Sequence, residues 1–286
     1  LVCFTGQVPT YLIGNDAFQE VDTVGIMRSI CKYAVTVRKR EDLARIIHNA
    51  FYIAKSGKPG VVVVDIPKDI QLALGTDDYP KDINIRGYNP NTSVHMGQVN
   101  KAMEILSKAI KPVFLIGGGV NIAHANELMT KLSEITSVPV VTTMMGKGAI
   151  PTTHELYVGN IGIHGSYAAN TAIANCDVLF SIGTRFNDRI TGKIEEFAKK
   201  ATIIHVDIDP AAISKNISVD IPIVADAKIA IEAILKKAKK LNIDEWRNQI
   251  SEWKETHPIK MEESEDILTP EYIIRKINKL YKNAII

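Results

Sequence analysis

Val178-Leu179-Phe180-Ser181-Ile182-Gly183-Thr184-Arg185-Phe186-Asn187-Asp188-Arg189 is the stretch that decides the fold. Residues 178–182 form an apolar run interrupted only by Ser181, and a turn rich in glycine and polar side chains follows at once. A continuous apolar run of this length reads as a strand buried on both faces, the pattern of a parallel sheet. Open α/β sheets hold their ligands where such strands end. Two further polar islands, Thr5-Gly6-Gln7-Val8-Pro9 and Gly14-Asn15-Asp16-Ala17-Phe18-Gln19-Glu20, follow the apolar opening run of residues 1–4. The expected fold class is α/β, with doubly wound parallel sheets and right-handed crossovers.

Outward from that stretch, strand and helix patterns alternate. Residues 1–4 read as a strand, and 17–30 and 41–55 as helices, the second with Leu43, Ile46, Ile47, Ala50 and Ile53 on one stripe. Gly57-Lys58-Pro59-Gly60 stops that helix, and the valine run at 61–64 with Asp65 is a strand ended by Pro67. Strands are expected again at 113–116, 138–142, 178–182, 203–207 and 221–224, and helices at 99–109, 124–136, 168–175 and 228–240. Residues 74–98, with Gly75, Thr76, Asp77, Asp78, Pro80, Pro90 and Asn91, show little periodicity. The division expected is therefore an α/β block at 1–80, a linker at 81–94, a second α/β block at 95–240 and a strand-free tail at 241–286. Within the tail, 243–253 and 270–281 read as charged helices: a linker and the first helix of a further unit.

The net charge of +2, from 34 basic and 32 acidic residues, gives no electrostatic footprint for nucleic acid or an anionic membrane surface. No apolar run reaches the roughly 20 residues that span a bilayer. Cys3, Cys31 and Cys176 lack CxxC or metal-ligand spacing and read as reduced, partly buried thiols, which suits a cytoplasm or an organelle stroma. The chain opens inside an apparent strand, without Met or a basic leader, which leads us to expect a fragment.

Several positions carry two readings each. Gly117-Gly118-Gly119 follows a strand and precedes a helix, so it either admits a pyrophosphate or makes a tight turn; Ile122 occupies the place of the third fingerprint glycine. Asp207 at a strand end suits a ribose hydroxyl pair, and Asp209 before Pro210 suits a helix N-cap. The guanidinium forks of Arg185 and Arg189 suit phosphates and flavin carbonyls, or pair with Asp188 on the surface. His164, between flexible neighbours, is a ligand contact or a structural histidine. Phe18, Gln19 and Lys68 are not separated by residue chemistry from capping or surface positions. HExxH, Walker and GxSxG motifs are absent from the sequence.

Four ordered segments together resemble the large catalytic subunit of acetohydroxyacid synthase (acetolactate synthase). Residues 5–20 are similar to its TGQVP…IGTDAFQE segment, 56–71 to SGRPGPVLVDIPKDIQ, 162–170 to the LGMHG region and 183–189 to GARFDDR. The resemblance covers essentially the whole chain. It implies the C-terminal part of a pyrimidine-binding domain for thiamine diphosphate at 1–80 and a complete central FAD-binding, Rossmann-like domain at 95–240. It also implies that the activating glutamate precedes Leu1 and that the Mg²⁺–diphosphate domain would follow Ile286. Lys58 stands where the family usually has an arginine, Val61 replaces a proline, Asn15 a threonine and Asn187 the first aspartate of a pair.

The cofactor-binding residues implied by the resemblance are Lys58, Gly117, Gly118, Gly119, Thr142, Thr143 and Met144 in the first part of the chain. Gly162, Ile163, His164, Gly183, Thr184, Arg185, Asn187, Arg189, Asp207, Ile208 and Asp226 complete the set. Pro9, Ala17, Phe18 and Asp188 match the substrate channel, and Gln19 and Lys68 its residues nearest the chemistry. The implied activity is decarboxylation of pyruvate with thiamine diphosphate and Mg²⁺, and transfer of the hydroxyethyl unit to pyruvate or 2-ketobutyrate. This is the first common step of branched-chain amino acid biosynthesis, with no net redox change, so the FAD is expected to be structural. A homodimer or homotetramer, a small regulatory subunit, and a cytoplasmic, plastid or mitochondrial setting are implied as well. The 286 residues alone are expected to be inactive. A non-catalytic FAD- or nucleotide-binding module, a glyoxylate carboligase and a pyruvate oxidase stay open as alternatives.

Overall fold

The computed structural model describes residues 1–76, 79–83, 85–259 and 267–281; Asp77 and Asp78, Asn84 of the expected linker, and 260–266 and 282–286 of the expected tail lie outside them. The first block is built from β1 (Val2–Gln7), α1 (Thr23–Met27), β2 (Tyr33–Thr36), α2 (Leu43–Lys55), β3 (Val62–Pro67) and α3 (Lys68–Leu72). Its three strands lie in the order β1-β3-β2 and are all parallel. The valine run forms the central strand, with Val62, Val63 and Val64 buried, and α2 lays Ala50, Ile53 and Ala54 against it. The outer strands leave apolar surface in solvent: Phe4 of β1 is 49% and Tyr33 of β2 40% exposed.

Two local expectations are corrected here. The helix expected over 17–30 is only α1, because Asp16 and Gln19 take left-handed backbone conformations, at φ 52° and 61°, that no helix accepts. Asp22 then starts α1 by accepting from the Gly25 amide, while Glu20 accepts from Gly14 and Ala17 and ties the preceding loop into a ring. The short strand β2 adds a pairing that the sequence reading did not contain.

The second block runs α4 (Met96–Lys108), β4 (Pro112–Ile116), α5 (Gly118–Ile122), α6 (Asn126–Thr136), β5 (Val140–Thr142), β6 (Tyr157–Asn160) and α7 (Tyr167–Asn175). It continues through β7 (Val178–Ile182), α8 (Asp188–Thr191), β8 (Thr202–Asp207), β9 (Ile221–Val224), α9 (Ala227–Leu235), α10 (Asp244–Thr256) and α11 (Pro270–Leu280). The six parallel strands lie in the order β6-β5-β4-β7-β8-β9, so the winding reverses between β4 and β7. Those two strands are buried along their whole length, and Phe114 and Phe180, partners in register, meet edge to face with ring centroids 5.6 Å apart. The doubly wound parallel architecture is thus as expected. The edge strand β6 escaped the sequence reading because Gly159 and Asn160 break its apolar pattern, and it pairs with β5 across an irregularity at Val140 and Val141.

The packed core also runs past residue 240. Leu241, Ile243, Trp246 and Ile250 are buried with the large sheet, the Trp246 indole donates to the Pro112 carbonyl at 3.1 Å, and Lys254 Nζ donates to that of Tyr157. Residues 241–256 therefore belong to this unit and not to a linker, since α10 is amphipathic and its apolar stripe has a sheet edge to cover. Replacing Trp246 by Ala should lower unfolding free energy by about 3–5 kcal/mol, the usual cost of emptying an aromatic site in a core. Urea titration followed by circular dichroism measures this; a loss under about 1 kcal/mol would contradict the assignment of α10 to the core.

Candidate functional site

The carboxyl ends of the large sheet's strands collect the sequence-predicted residues. Gly117 to Gly119 leave β4, Thr143 and Met144 leave β5, and Gly162 to His164 leave β6. Gly183 to Arg189 leave β7, Asp207 and Ile208 end β8, and Asp226 follows β9. The winding reverses between β4 and β7 at this edge, the place where a doubly wound sheet takes its ligand. The exit loop of β6 crosses over the intervening strands, and the Ile163 amide donates to the Arg189 carbonyl at 3.1 Å.

The predicted residues fall into a buried frame and an exposed surface. Thr142 is fully buried and its hydroxyl is bonded to Asn160 at 2.7 Å; Thr143 caps the turn at Met144–Gly146 through the Gly146 amide. Thr184 is buried as well. The Thr142 and Thr143 side chains thus hold the loops from below, and the buried Thr184 hydroxyl has no partner among the described residues. Asp226 is the N-cap of α9, accepting from the Lys228 and Ile229 amides. The exposed set is Met144, Ile163, His164, Arg185, Asn187, Asp188 and Arg189. Arg189 and Asp188 approach at 3.8 Å with both side chains largely in water, so that pair contributes little.

The glycine triplet works differently from a dinucleotide fingerprint. Gly117 N–H donates to the Ile182 carbonyl and Gly119 N–H to the Gly183 carbonyl, so these donors serve the neighbouring loop and not a phosphate. A Cβ on Gly119 would lie 2.7 Å from Gly183 Cα. The helix that follows, α5, is a single short turn, which removes the argument from a helix N-terminus.

At the end of β8, Asp209 caps the turn at Pro210–Ala212, as expected, and its second oxygen takes Lys58 Nζ at 2.8 Å. The Lys58 ammonium holds the Asp209 carboxyl below the usual carboxylate range. Lys58 thereby brings the small sheet's glycine loop to the large sheet's ligand edge. The remaining small-sheet residues lie at that sheet's own carboxyl edge, Pro9, Ala17, Phe18 and Gln19 in the segment after β1 and Lys68 at the start of α3. Thr10, next to Pro9, is bonded through its amide and hydroxyl to Asp69, next to Lys68, and these bonds depress the Asp69 carboxyl. Phe18 stands 88% exposed and Gln19 is exposed too.

The sequence reading missed His205. It lies two residues before Asp207 on β8, hence on the same face, and is fully buried. Its Nε2 lies 2.8 Å from the Thr184 carbonyl, which only accepts, so Nε2 carries a proton; Nδ1 has no partner among the described residues. Burial pushes this imidazole below its ordinary value, against the pull of Asp207 and of the Thr184 carbonyl. Burial also raises the Asp207 carboxyl, against its bond from the Asp209 amide and the pull of His205. The alternation His-Val-Asp inside an apolar strand was the available signal.

This edge suits FAD on its own chemistry. Met144, Met145 and Ile163 offer apolar surface in solvent, at 69%, 73% and 61% exposure, and the cations Arg185 and Arg189, which follow β7, are exposed as well. A flat ring system carrying a pyrophosphate matches apolar surface together with guanidinium groups. The described residues contain no cluster of His, Cys, Asp or Glu that would hold a metal ion and no helix long and apolar enough to cross a membrane.

Comparison with known proteins agrees with this geometry. The family described as "Thiamine pyrophosphate enzyme, central domain" matches residues 99–234. The chain is 42% identical to a probable acetolactate synthase large subunit of Methanococcus aeolicus, over 97% of this chain and 49% of the relative. It is 41% identical to the acetolactate synthase large subunit of Buchnera aphidicola from Acyrthosiphon pisum, over 99% of this chain and 51% of the relative. It is 40% identical to the acetolactate synthase isozyme 3 large subunit of Escherichia coli K12, over 99% and 51%. The chain thus spans about half the length of the curated relatives it matches.

The buried histidine has a consequence for stability against pH. The unfolded chain takes up a proton near the ordinary histidine value of about 6.5, before the folded chain does. The stability supplied by the neutral ring is therefore present above that value and is lost as pH falls through it toward the depressed folded value. Asp207 has the opposite slope, its share being present at low pH and lost as pH rises through its raised value. Urea midpoints at pH 7.5 and 5.5 should fall less between the two conditions for His205→Gln than for the parent; equal falls would contradict a buried neutral imidazole.

Proposed function

The chain belongs to the family of thiamine-diphosphate-dependent acetolactate synthase large subunits, and from that premise we propose that its large sheet binds FAD at the carboxyl edge. We propose further that the whole protein decarboxylates pyruvate and transfers the hydroxyethyl unit to pyruvate or 2-ketobutyrate. The observation that carries the reading is the collection of separate loops at the carboxyl ends of the strands around the β4–β7 reversal, where Met144, Met145, Ile163, Arg185 and Arg189 are all exposed.

In this reading the chain supplies a flavin domain, at about 95–256, and part of a pyrimidine domain, at 1–80. The exposed residues of the edge hold the flavin. Arg185 and Arg189 neutralise its pyrophosphate, Asp207 and Ile208 line the ribose side, and Lys58 closes over from the small sheet. When bound, the flavin contributes a rigid ring surface that braces these loops; the reaction it accompanies has no net redox change. On the small sheet, the Asp69–Thr10 bonds set Pro9 beside Lys68, and Phe18 and Gln19 project into solvent at the same rim. That rim is the proposed substrate channel, completed by Asp188. Carboligation also needs a thiamine diphosphate and Mg²⁺ site, which we assign to the whole protein. The relatives' designation as large subunits supports a small regulatory partner, and self-association of the chain is part of the same proposal. A cytoplasmic or organellar setting accompanies it.

Two measurements test the reading. Flavin fluorescence titrated with the chain should quench to saturation near one FAD per chain. The gene product of full length, supplied with thiamine diphosphate, Mg²⁺ and FAD, should convert pyruvate to acetolactate. A chain folded by circular dichroism that leaves flavin fluorescence unchanged, or a full-length product that decarboxylates without forming acetolactate, would contradict it.

A further inference from the structure

The loop between β7 and α8 is held by an unusual set of anchors. Its carbonyl groups are taken one after another: Gly183 O accepts from the Gly119 amide and Thr184 O from His205 Nε2. Asn216 Nδ2 then donates to both Arg185 O, at 3.3 Å, and Phe186 O, at 2.9 Å. Asn187 O accepts from the Ile190 and Thr191 amides. The N–H groups of Thr184, Arg185 and Phe186 meet no acceptor among the described residues. Phe186 has a left-handed backbone, φ 49°, which a bulky L-residue adopts only when its surroundings impose it. Those surroundings are present: the ring is 2% exposed, edge-on to Phe197 at 5.9 Å and to His205 at 4.8 Å. With Thr184 and Phe186 plugged inward, Arg185 and Asn187 stand out into solvent.

We propose that His205 and Asn216 are positioning residues that preset this loop, its carbonyls occupied and its amides and Arg185 left free, to receive an anionic group, the pyrophosphate of the flavin. The inference rests on the flavin reading above and adds two residues that do not touch the ligand. The logic is that of a preorganised anion site: successive N–H groups with carbonyls turned away, plus a guanidinium whose stem is fixed, bind without an ordering cost at the moment of binding. Each anchor is a donor aimed at a carbonyl, so a side chain that keeps the donor should keep the function. Gln in place of His205 reaches with its own N–H; Leu does not. Asn216 is exposed, so its replacement by Ala leaves the core untouched.

The test uses the 286-residue chain and its variants His205→Gln, His205→Leu and Asn216→Ala. FAD dissociation constants come from flavin fluorescence. Trypsin cleavage after the exposed Arg185, timed by mass spectrometry without flavin, reports how firmly the loop is held. Asn216→Ala and His205→Leu should weaken FAD binding about tenfold or more, the scale of one or two lost hydrogen bonds, and speed cleavage at Arg185. His205→Gln should stay within about threefold of the parent in both, on the same scale. Parent-like affinity and cleavage in Asn216→Ala overturns the proposal even if His205→Leu fails to fold. Faster cleavage in the variants, with no flavin uptake by a folded parent, overturns the flavin reading while supporting the anchors.

Discussion

The backbone of Gly119 lies directly against that of Gly183, and the ligand edge of the large sheet depends on that approach. The Gly119 amide donates to the Gly183 carbonyl at 3.1 Å, and a Cβ on either residue would sit 2.7 Å from the other's Cα. Gly183 also takes φ 65°, which favours glycine. Real Cβ atoms do not approach so closely, so any side chain there would push apart the exits of β4 and β7. Those strands are the buried centre of the sheet and the point where its winding reverses, so the displacement would reach every loop on the edge. The Thr143 amide is hung on the Ile116 carbonyl, and Asn121 bonds the Met145 and Lys147 carbonyls. Sequence, close approach, loop position and ligand surface form one chain of causes.

The link between the two sheets is looser and polar. Lys58 meets Asp209 at 2.8 Å, but the lysine side chain is 52% exposed, and such surface pairs are worth about 0–1 kcal/mol. Its contribution is position more than stability. The loop that carries it is tied down behind: Lys32 Nζ donates to the Ile53 and Ser56 carbonyls and to the Tyr88 hydroxyl, which also bonds Ser56 Oγ at 2.9 Å. Tyr88 belongs to the connecting segment, so one lysine fixes the end of α2, the glycine loop and the connection at once. A cation at position 58 therefore arrives at the flavin edge from a braced base.

Much of this was legible in the sequence because burial on both faces of a parallel sheet leaves a plain record. The apolar runs at 62–64, 113–116 and 178–182 are strands, and the polar islands after them lie at the carboxyl edges. Other features were hidden by causes that act over distance. The pattern over 17–30 reads as helix locally, but the left-handed Asp16 and Gln19 serve a loop ring closed by Glu20. The glycine triplet reads as a phosphate turn, yet its role is to admit Gly183, sixty-odd residues away in the chain. Asn216 carries no motif at all, because a donor aimed at a backbone carbonyl leaves no residue-type signature at its target, and His205 showed only as one polar position in an apolar strand. Trp246 looked like part of a charged tail because only its indole and a few neighbours on α10 face the core.

The most direct measurement is a map of amide chemical-shift changes when FAD is added to isotope-labelled chain. The account predicts changes clustered at Gly119, Met144, Ile163, Gly183 and Arg185, fading along the strands toward their amino ends. Changes centred instead on the groove between α10 and β6, lined by Arg247, Asn248, Lys254 and Tyr157, would contradict it.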